Sequence, residues 1–287
     1  MENLKLNNKA LFEVLEINYP NLKIHPYLIG QGGMKTVLKG FDIEQDKEVV
    51  IKIITFSGTD SEKRTQREID ILKLLSSEYF PKIIDTRTLS IQDKDIFIII
   101  ESFIDGVTLR DYQRNVLNIE EAIRISKELL KALAKVHEKK LVHRDIKPEN
   151  IMITNEKKLV LLDFGIARDL TEDSITSDLA IFGPMTIGYA APEQIANKKR
   201  IISARTDLFS WAVVFYELIK NINPLILSDL SREQVLHRTL NFSPDTLNYS
   251  GIPDEIVYLI KKNLSPLVHR RSSSANEALE FLRKRGY

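Results

Sequence analysis

The hydrophobic positions of this chain change their spacing once. Up to about residue 103 they fall in short, β-branched runs: Tyr27–Ile29, Thr36–Gly40, Val49–Ile54, Leu89–Ile91 and Ile96–Ile100. Turn-forming stretches such as Asp42–Asp46 and Asp93–Asp95 separate them, which predicts strands, the last two paired as a hairpin. One helical interruption is predicted over Ser61–Ser76, where Ile69, Leu72 and Leu75 recur three apart among charges. From Asp105 onward helical periods dominate. Ile119–Lys139 carries Ile123, Leu130, Leu133 and Val136 on one stripe. Thr206–Lys220 is apolar all round, with Leu208, Phe209, Trp211, Val213, Val214, Phe215, Leu218 and Ile219, and such a helix belongs inside a core. The pattern therefore predicts an α+β chain with a strand-rich lobe and then a helical lobe, joined near Phe103–Asp105, with no internal repeat.

Composition narrows the functional classes. The 287 residues include 43% hydrophobic and 28% charged side chains, ordinary for a folded chain. Lys and Arg number 41 against 40 Asp and Glu, a net charge of +1 that gives no basic field for nucleic acid. The absence of cysteine excludes disulfides, thiolate-bound metals and thiol catalysis. The longest apolar stretches, Ile96–Ile100 and Trp211–Tyr216, are too short for a membrane span, and residues 1–8 do not read as a secretory signal. A cytoplasmic location is the expectation.

Three segments carry candidate chemistry. Gly30-Gln-Gly-Gly-Met-Lys-Thr-Val37 lies between two predicted strands, where glycines let backbone N–H groups approach phosphate oxygens; a glycine-rich hairpin turn is the alternative reading. Lys52 ends a β-branched run and Glu68 lies on the following helix; a lysine there can also snorkel to solvent. Most informative is His143-Arg-Asp-Ile-Lys-Pro-Glu-Asn150, followed by apolar Ile151–Ile153, then Leu159–Leu162 leading into Asp163-Phe-Gly165. A charged loop entering an apolar hairpin with an aspartate at its exit can hold oxygen ligands for a hard cation near a base.

Taken in order, the glycine-rich loop, Val49-Val-Ile-Lys52, Glu68, His143-Arg-Asp145 to Asn150, Asp163-Phe-Gly165, Ala191-Pro-Glu193, Asp207 and a late arginine (Arg271, or Arg270) resemble the eukaryotic-type (Hanks-type) protein kinases. The similarity covers roughly residues 25 to 285 and points to the Ser/Thr branch, in a bacterial-like single catalytic domain. It implies a two-lobed kinase fold: an N-terminal extension over 1–24, an N-lobe over 25–103 with one regulatory helix, and a C-lobe over 104–287.

The resemblance also implies roles. Ile29, Gly30, Gln31, Gly32, Gly33, Met34, Lys35, Thr36 and Val37 would cover ATP. Val50 and Met152 would line the base, and Lys52, positioned by Glu68, would hold the α- and β-phosphates. Asn150 and Asp163 would carry Mg2+, with Mn2+ as a possible substitute. Asp145 would receive or orient the hydroxyl proton of a protein substrate, and Lys147 would face the γ-phosphate. Thr186 would bond near Asp145 and Lys147, Glu193 would pair with the late arginine, and Arg144 would meet an activation-segment phosphate. Thr171, Ser174, Thr176 and Ser177 lie in that segment, and autophosphorylation is expected at Thr176 or Ser177.

Several positions depart from the family pattern. Lys35 replaces a loop glycine, Val50 stands where alanine is usual, and Ala212 stands where glycine is common. Counting back from Asp105-Gly106 without a gap puts Glu101 at the gatekeeper position and Ser102 at the hinge; a gap of one gives Ile100 and Glu101. In residues 1–24, Ala10, Phe12, Val14, Leu15 and Ile17 predict a short helix capping the strand-rich lobe, or docking a regulator. The sequence ends at Tyr287, past the last expected helix, so a partner, the N-terminus or the activation segment is expected to carry any signal. Other readings are a nucleotide-binding pseudokinase scaffold and a small-molecule kinase of related fold; oligomeric state stays open.

Overall fold

The β-branched run Val49–Ile54 forms the middle of a five-stranded antiparallel sheet. In a computed structural model of the chain, residues 8–31, 35–55, 70, 73–75, 77–91, 94–114, 117–163, 168–169 and 185–287 are described. They fall into two compact units, Met1–Asp105 and Gly106–Tyr287.

The first unit opens with helix α1 (Asn8–Asn18), followed by β1 (Leu22–Gln31), β2 (Lys35–Asp42), β3 (Lys47–Thr55), β4 (Ile83–Ile91) and β5 (Lys94–Ser102). The sheet order is β1-β2-β3-β5-β4. Turns set the connections: the Asp42 carboxylate accepts from the N–H groups of Glu44 and Gln45, and Asp46 takes the left-handed conformation that ends a tight β2–β3 turn. The predicted hairpin is β4–β5. Of the helix predicted over Ser61–Ser76, Asp70, Lys73 and Leu74 are described as helical, and most of the remainder lies outside the described residues.

Strand β3 is buried from Val49 through Ile54, on both faces. Strand residues alternate in direction, so two different sets of neighbours are needed. On one face Val49, Ile51, Ile53, Ile96, Ile98 and Ile100 form a core with Leu11, Leu15 and Tyr19 of the N-terminal segment. On the other, Ile54, Phe97 and Ile99 pack together. Helix α1 thus closes one side of the sheet. Ile17, expected to pack, is instead 78% exposed, because the helix turns Leu11 and Leu15 inward and leaves Ile17 on its opposite face.

The second unit begins with β6 (Gly106–Thr108), the single turn α2 (Leu109–Tyr112) and α3 (Ile119–Glu138). Gly106 is required there, since a Cβ would fall inside contact distance of the Ile153 carbonyl oxygen. The short strands β7 (Leu141–Val142), β8 (Ile151–Thr154), β9 (Leu159–Leu161) and β10 (Arg168–Asp169) form two small sheets, β6-β8-β9 and β7-β10. Then come α4 (Pro192–Ile195), α5 (Ala204–Lys220), α6 (Arg232–Leu240), α7 (Asp254–Asn263) and α8 (Ala275–Arg283). Helix α3 starts where the Asn118 side chain accepts from the Glu121 N–H, 2.8 Å. Helix α5 is buried from Thr206 through Leu218, as its all-round apolar sequence predicts. The Trp211 indole N–H donates to the Ser126 carbonyl of α3 at 3.1 Å, joining the two helices.

Leu15→Ala is expected to lower the stability of the chain by about 2–5 kcal/mol, whereas Ile17→Ala changes it by less than about 0.5 kcal/mol. Urea denaturation of the two variants side by side measures this difference.

Candidate active site

In the first turn of α5 lies Asp207, a carboxylate with no exposed surface. It accepts hydrogen bonds from the backbone N–H groups of His143 (2.9 Å) and Arg144 (2.8 Å), and its Oδ2 lies 2.9 Å from His137 Nε2. A buried helix thereby grips the backbone of a loop. Arg144 adopts φ 70°, a left-handed conformation uncommon for a residue with a side chain. The loop is held at a second point by buried His143, whose Nε2 lies 2.9 Å from the Leu162 carbonyl while its Nδ1 accepts from the Asp145 N–H at 3.3 Å. Those partners require a neutral imidazole protonated on Nε2, and burial pushes its pKa down accordingly.

With the backbone fixed, the side chains of the loop converge. Lys147 Nζ donates to Asp145 Oδ2 at 2.7 Å and to Thr186 Oγ1 at 2.8 Å, and the Thr186 hydroxyl donates to Asp145 Oδ1 at 2.6 Å. Asn150, at the end of a single 3-10 turn (Pro148–Asn150), donates through Nδ2 to Asp145 Oδ2 (2.8 Å) and to its carbonyl (2.9 Å). Both bonds use the amide nitrogen, which leaves the amide oxygen for a cation. Asp163, just past β9, sits at φ 58°. A carboxylate and an amide oxygen suit a hard cation such as Mg2+, which completes its shell with water and substrate oxygens.

In the first unit, Lys52 on β3 is buried rather than snorkelling, and its ammonium lies 2.6 Å from Glu101 Oε1 on β5. The strand register explains the meeting. Val50 pairs with Glu101 and Lys52 with Ile99, so all four share one face, while Ile100 belongs to the opposite core beneath α1.

Residues 25–282 match the family described as protein kinase domain. The chain belongs to that family. Similar proteins include serine/threonine-protein kinase PrkC of Bacillus subtilis, 32% identical over 194 residues, a match covering 67% of this chain and 29% of PrkC. Serine/threonine-protein kinase PknB of Mycolicibacterium smegmatis is 28% identical over 257 residues, covering 87% of this chain and 40% of that protein. The chain spans well under two thirds of the length of these relatives.

The segment Ala191–Ile195 is tied down by buried polar groups. Arg271 makes a bidentate pair with Glu193 (2.7 and 2.9 Å), and the Thr206 hydroxyl also donates to Glu193. Arg271 is the late arginine of this pair; Arg270 is exposed. Gln194, also buried, accepts from the Ala191 N–H and donates to the Arg144 carbonyl, linking α4 to the loop. Nearby, Arg110 bonds Glu149 (2.8 Å), Glu217 (2.6 Å) and the Tyr189 hydroxyl, which itself donates to Glu217. Burial works against the Arg110 charge, but hydrogen bonds to Glu217 and Glu149 outweigh it and raise its pKa. These groups line a groove of about 700 Å³ that reaches Lys147 and Thr186.

The sequence reading did not single out Arg110, Gln194 or Glu217. The signal for Glu217 was present, as a carboxylate near the end of a helix that is otherwise apolar on every side. Of the residues expected to cover ATP, Ile29, Gly30 and Gln31 lie on β1, and Thr36 and Val37 on β2 pair with Gln31 and Gly30 in the backbone register. Lys35 opens β2, and Met152 lies on β8. Gly32, Gly33, Met34, Glu68, Thr171, Ser174, Thr176 and Ser177 lie outside the described residues. Among the described residues no helix is long and apolar enough to cross a membrane.

Glu193→Gln strands the buried Arg271 charge and is expected to cost about 3–5 kcal/mol, while Glu193→Leu combined with Arg271→Met recovers much of that loss. Guanidinium denaturation of the single and double variants gives the comparison. His143 generates a pH dependence. Its folded pKa lies below the ordinary value of 6.5, so the unfolded chain binds a proton that the folded chain does not. The stability is intact above 6.5 and lost as pH falls below it. Between pH 7.5 and 5 the melting temperature should fall, and His143→Phe should flatten that slope while lowering stability at pH 7.5.

Proposed function

We propose that this chain is a Ser/Thr protein kinase that moves the γ-phosphoryl group of ATP to a protein hydroxyl. The observation that carries the reading is the Asp145 carboxylate, whose two oxygens accept from Lys147, Asn150 and Thr186 on a loop clamped by Asp207. Phosphoryl transfer asks little covalent work of a protein; it asks for positioning and offset of charge.

Asp145 would take the position of base and orienter, accepting a proton from the incoming hydroxyl at one carboxylate oxygen. Lys147, now shared between Asp145 and Thr186, would present its ammonium to the transferring group. Thr186 ties the peptide-side segment to the same carboxylate, so a seryl or threonyl side chain arriving there meets Asp145 directly. Lys52 would hold the triphosphate, and Asn150 and Asp163 would hold Mg2+. An ion held by Asn150 and Asp163 would supply positive charge to offset the charge of the transferring group. Val50 would line the base, and Glu101 would occupy the gatekeeper position because it shares a face with Val50 and Lys52.

Arg144 precedes Asp145, and the hydroxyl of Thr176 or Ser177 is the expected autophosphorylation site. The groove lined by Tyr189, Ile226 and Thr186 would receive the substrate chain.

Radiolabelled ATP with magnesium should label the chain itself and a generic protein such as casein. Asp145→Ala should reduce transfer by at least about a hundredfold while ATP still binds, and Lys52→Ala should impair both. Wild-type rates in either variant would overturn these assignments. Mass spectrometry of the labelled protein should find phosphate between residues 169 and 186.

A further inference from the structure

Glu101 is a carboxylate that the transfer chemistry above does not use. It is 3% exposed, and it follows five consecutive apolar residues, Ile96 to Ile100, on a strand. Its Oε1 is engaged by Lys52 at 2.6 Å. Its Oε2 is buried and has no hydrogen-bond partner among the described residues. A buried acceptor without a donor is costly, and more so when it belongs to a charged group.

We propose that Glu101 selects the nucleotide base, its unpartnered oxygen accepting a hydrogen from the 6-amino group of adenine. The inference rests on the reading of this chain as an ATP-dependent kinase and adds to it the residue that sets base preference.

Three observations support it. The register places Glu101 directly opposite Val50, whose apolar side chain offers a flat ring a surface on the same face. Lys52, two residues from Val50 on that face, supplies the cation for phosphates, so base and phosphate groups would be received by neighbouring side chains of one strand pair. Lastly, an ionised carboxylate only accepts hydrogen bonds. A purine with an amino group at position 6 relieves the orphaned oxygen, whereas one with a carbonyl there sets two acceptors against each other. Adenine has the first arrangement; guanine and hypoxanthine have the second.

The alternative is that Glu101 merely restrains Lys52. That role would alter the binding of every nucleoside triphosphate alike, because Lys52 addresses phosphates common to all of them. The ratio of affinities therefore separates the two.

The test is calorimetric binding of Mg-ATP, Mg-ITP and Mg-N6,N6-dimethyl-ATP to the full chain and to Glu101→Gln and Glu101→Leu. Wild type should prefer ATP over both analogues. Each substitution should reduce the ATP-to-ITP ratio by about ten- to a hundredfold, the range for a hydrogen bond to a charged group. An unchanged ratio, with ATP and ITP affinities moving together, overturns the inference and leaves the kinase reading intact. Failure of wild type to bind any of the three removes both. If Glu101→Leu does not fold, the near-isosteric Glu101→Gln and the wild-type comparison of ATP with its dimethyl analogue decide the matter. A wild-type loss of less than about threefold on dimethylation, well below one hydrogen bond to a charged group, counts against it.

Discussion

The grip of Asp207 on two backbone N–H groups is the constraint from which the geometry of the His143–Asn150 loop follows. A carboxylate without solvent is costly to maintain unless donors surround it, and here the donors are the amides of His143 and Arg144 together with His137. The loop is thereby registered against the most deeply buried helix of the second unit. Every side chain that follows along the loop inherits that registration. Asp145, Lys147 and Asn150 meet because their backbone has almost no freedom left. The left-handed conformation of Arg144 is part of the same arrangement, imposed by the anchoring rather than preferred by the residue.

A second buried pair, Glu193 with Arg271, anchors the segment around α4 in a comparable way. The two anchors communicate through Gln194, which bonds the carbonyl of Arg144. Polar groups in the interior of this unit thus form a connected frame rather than isolated bridges. Such a frame adds little net stability compared with apolar packing, yet it allows few alternative geometries.

Much of this was legible in the amino-acid sequence. Spacing alone located parts of the five strands of the first unit, the hairpin of β4 and β5 and the buried helix α5, since periodicity reports directly on which faces are covered. The loop from His143 to Asn150 and the aspartate at 163 stood out because clustered charges beside apolar strands are rarely accidental. Other features were hidden for physical reasons. Which face of β5 carries Glu101 depends on pairing register, a property of two strands together that neither reveals by itself. The partnership of Arg110 with Glu149 and Glu217 joins residues 39 and 107 positions apart, and no local pattern encodes such a meeting. Ile17 was expected inward because its hydrophobicity matched its neighbours', but a helix of eleven residues packed on one face of a sheet turns only one apolar stripe inward.

Helix α1 has an implication for how the boundary of this family should be drawn here. The recognisable kinase pattern starts at residue 25, yet the hydrophobic core of the sheet already includes Leu11, Leu15 and Tyr19. What inheritance preserves as a module and what water forces to assemble as a body therefore have different first residues. A chain trimmed to the inherited module would present a strip of isoleucine to solvent along two adjacent strands, a surface suited to sticking to its own kind.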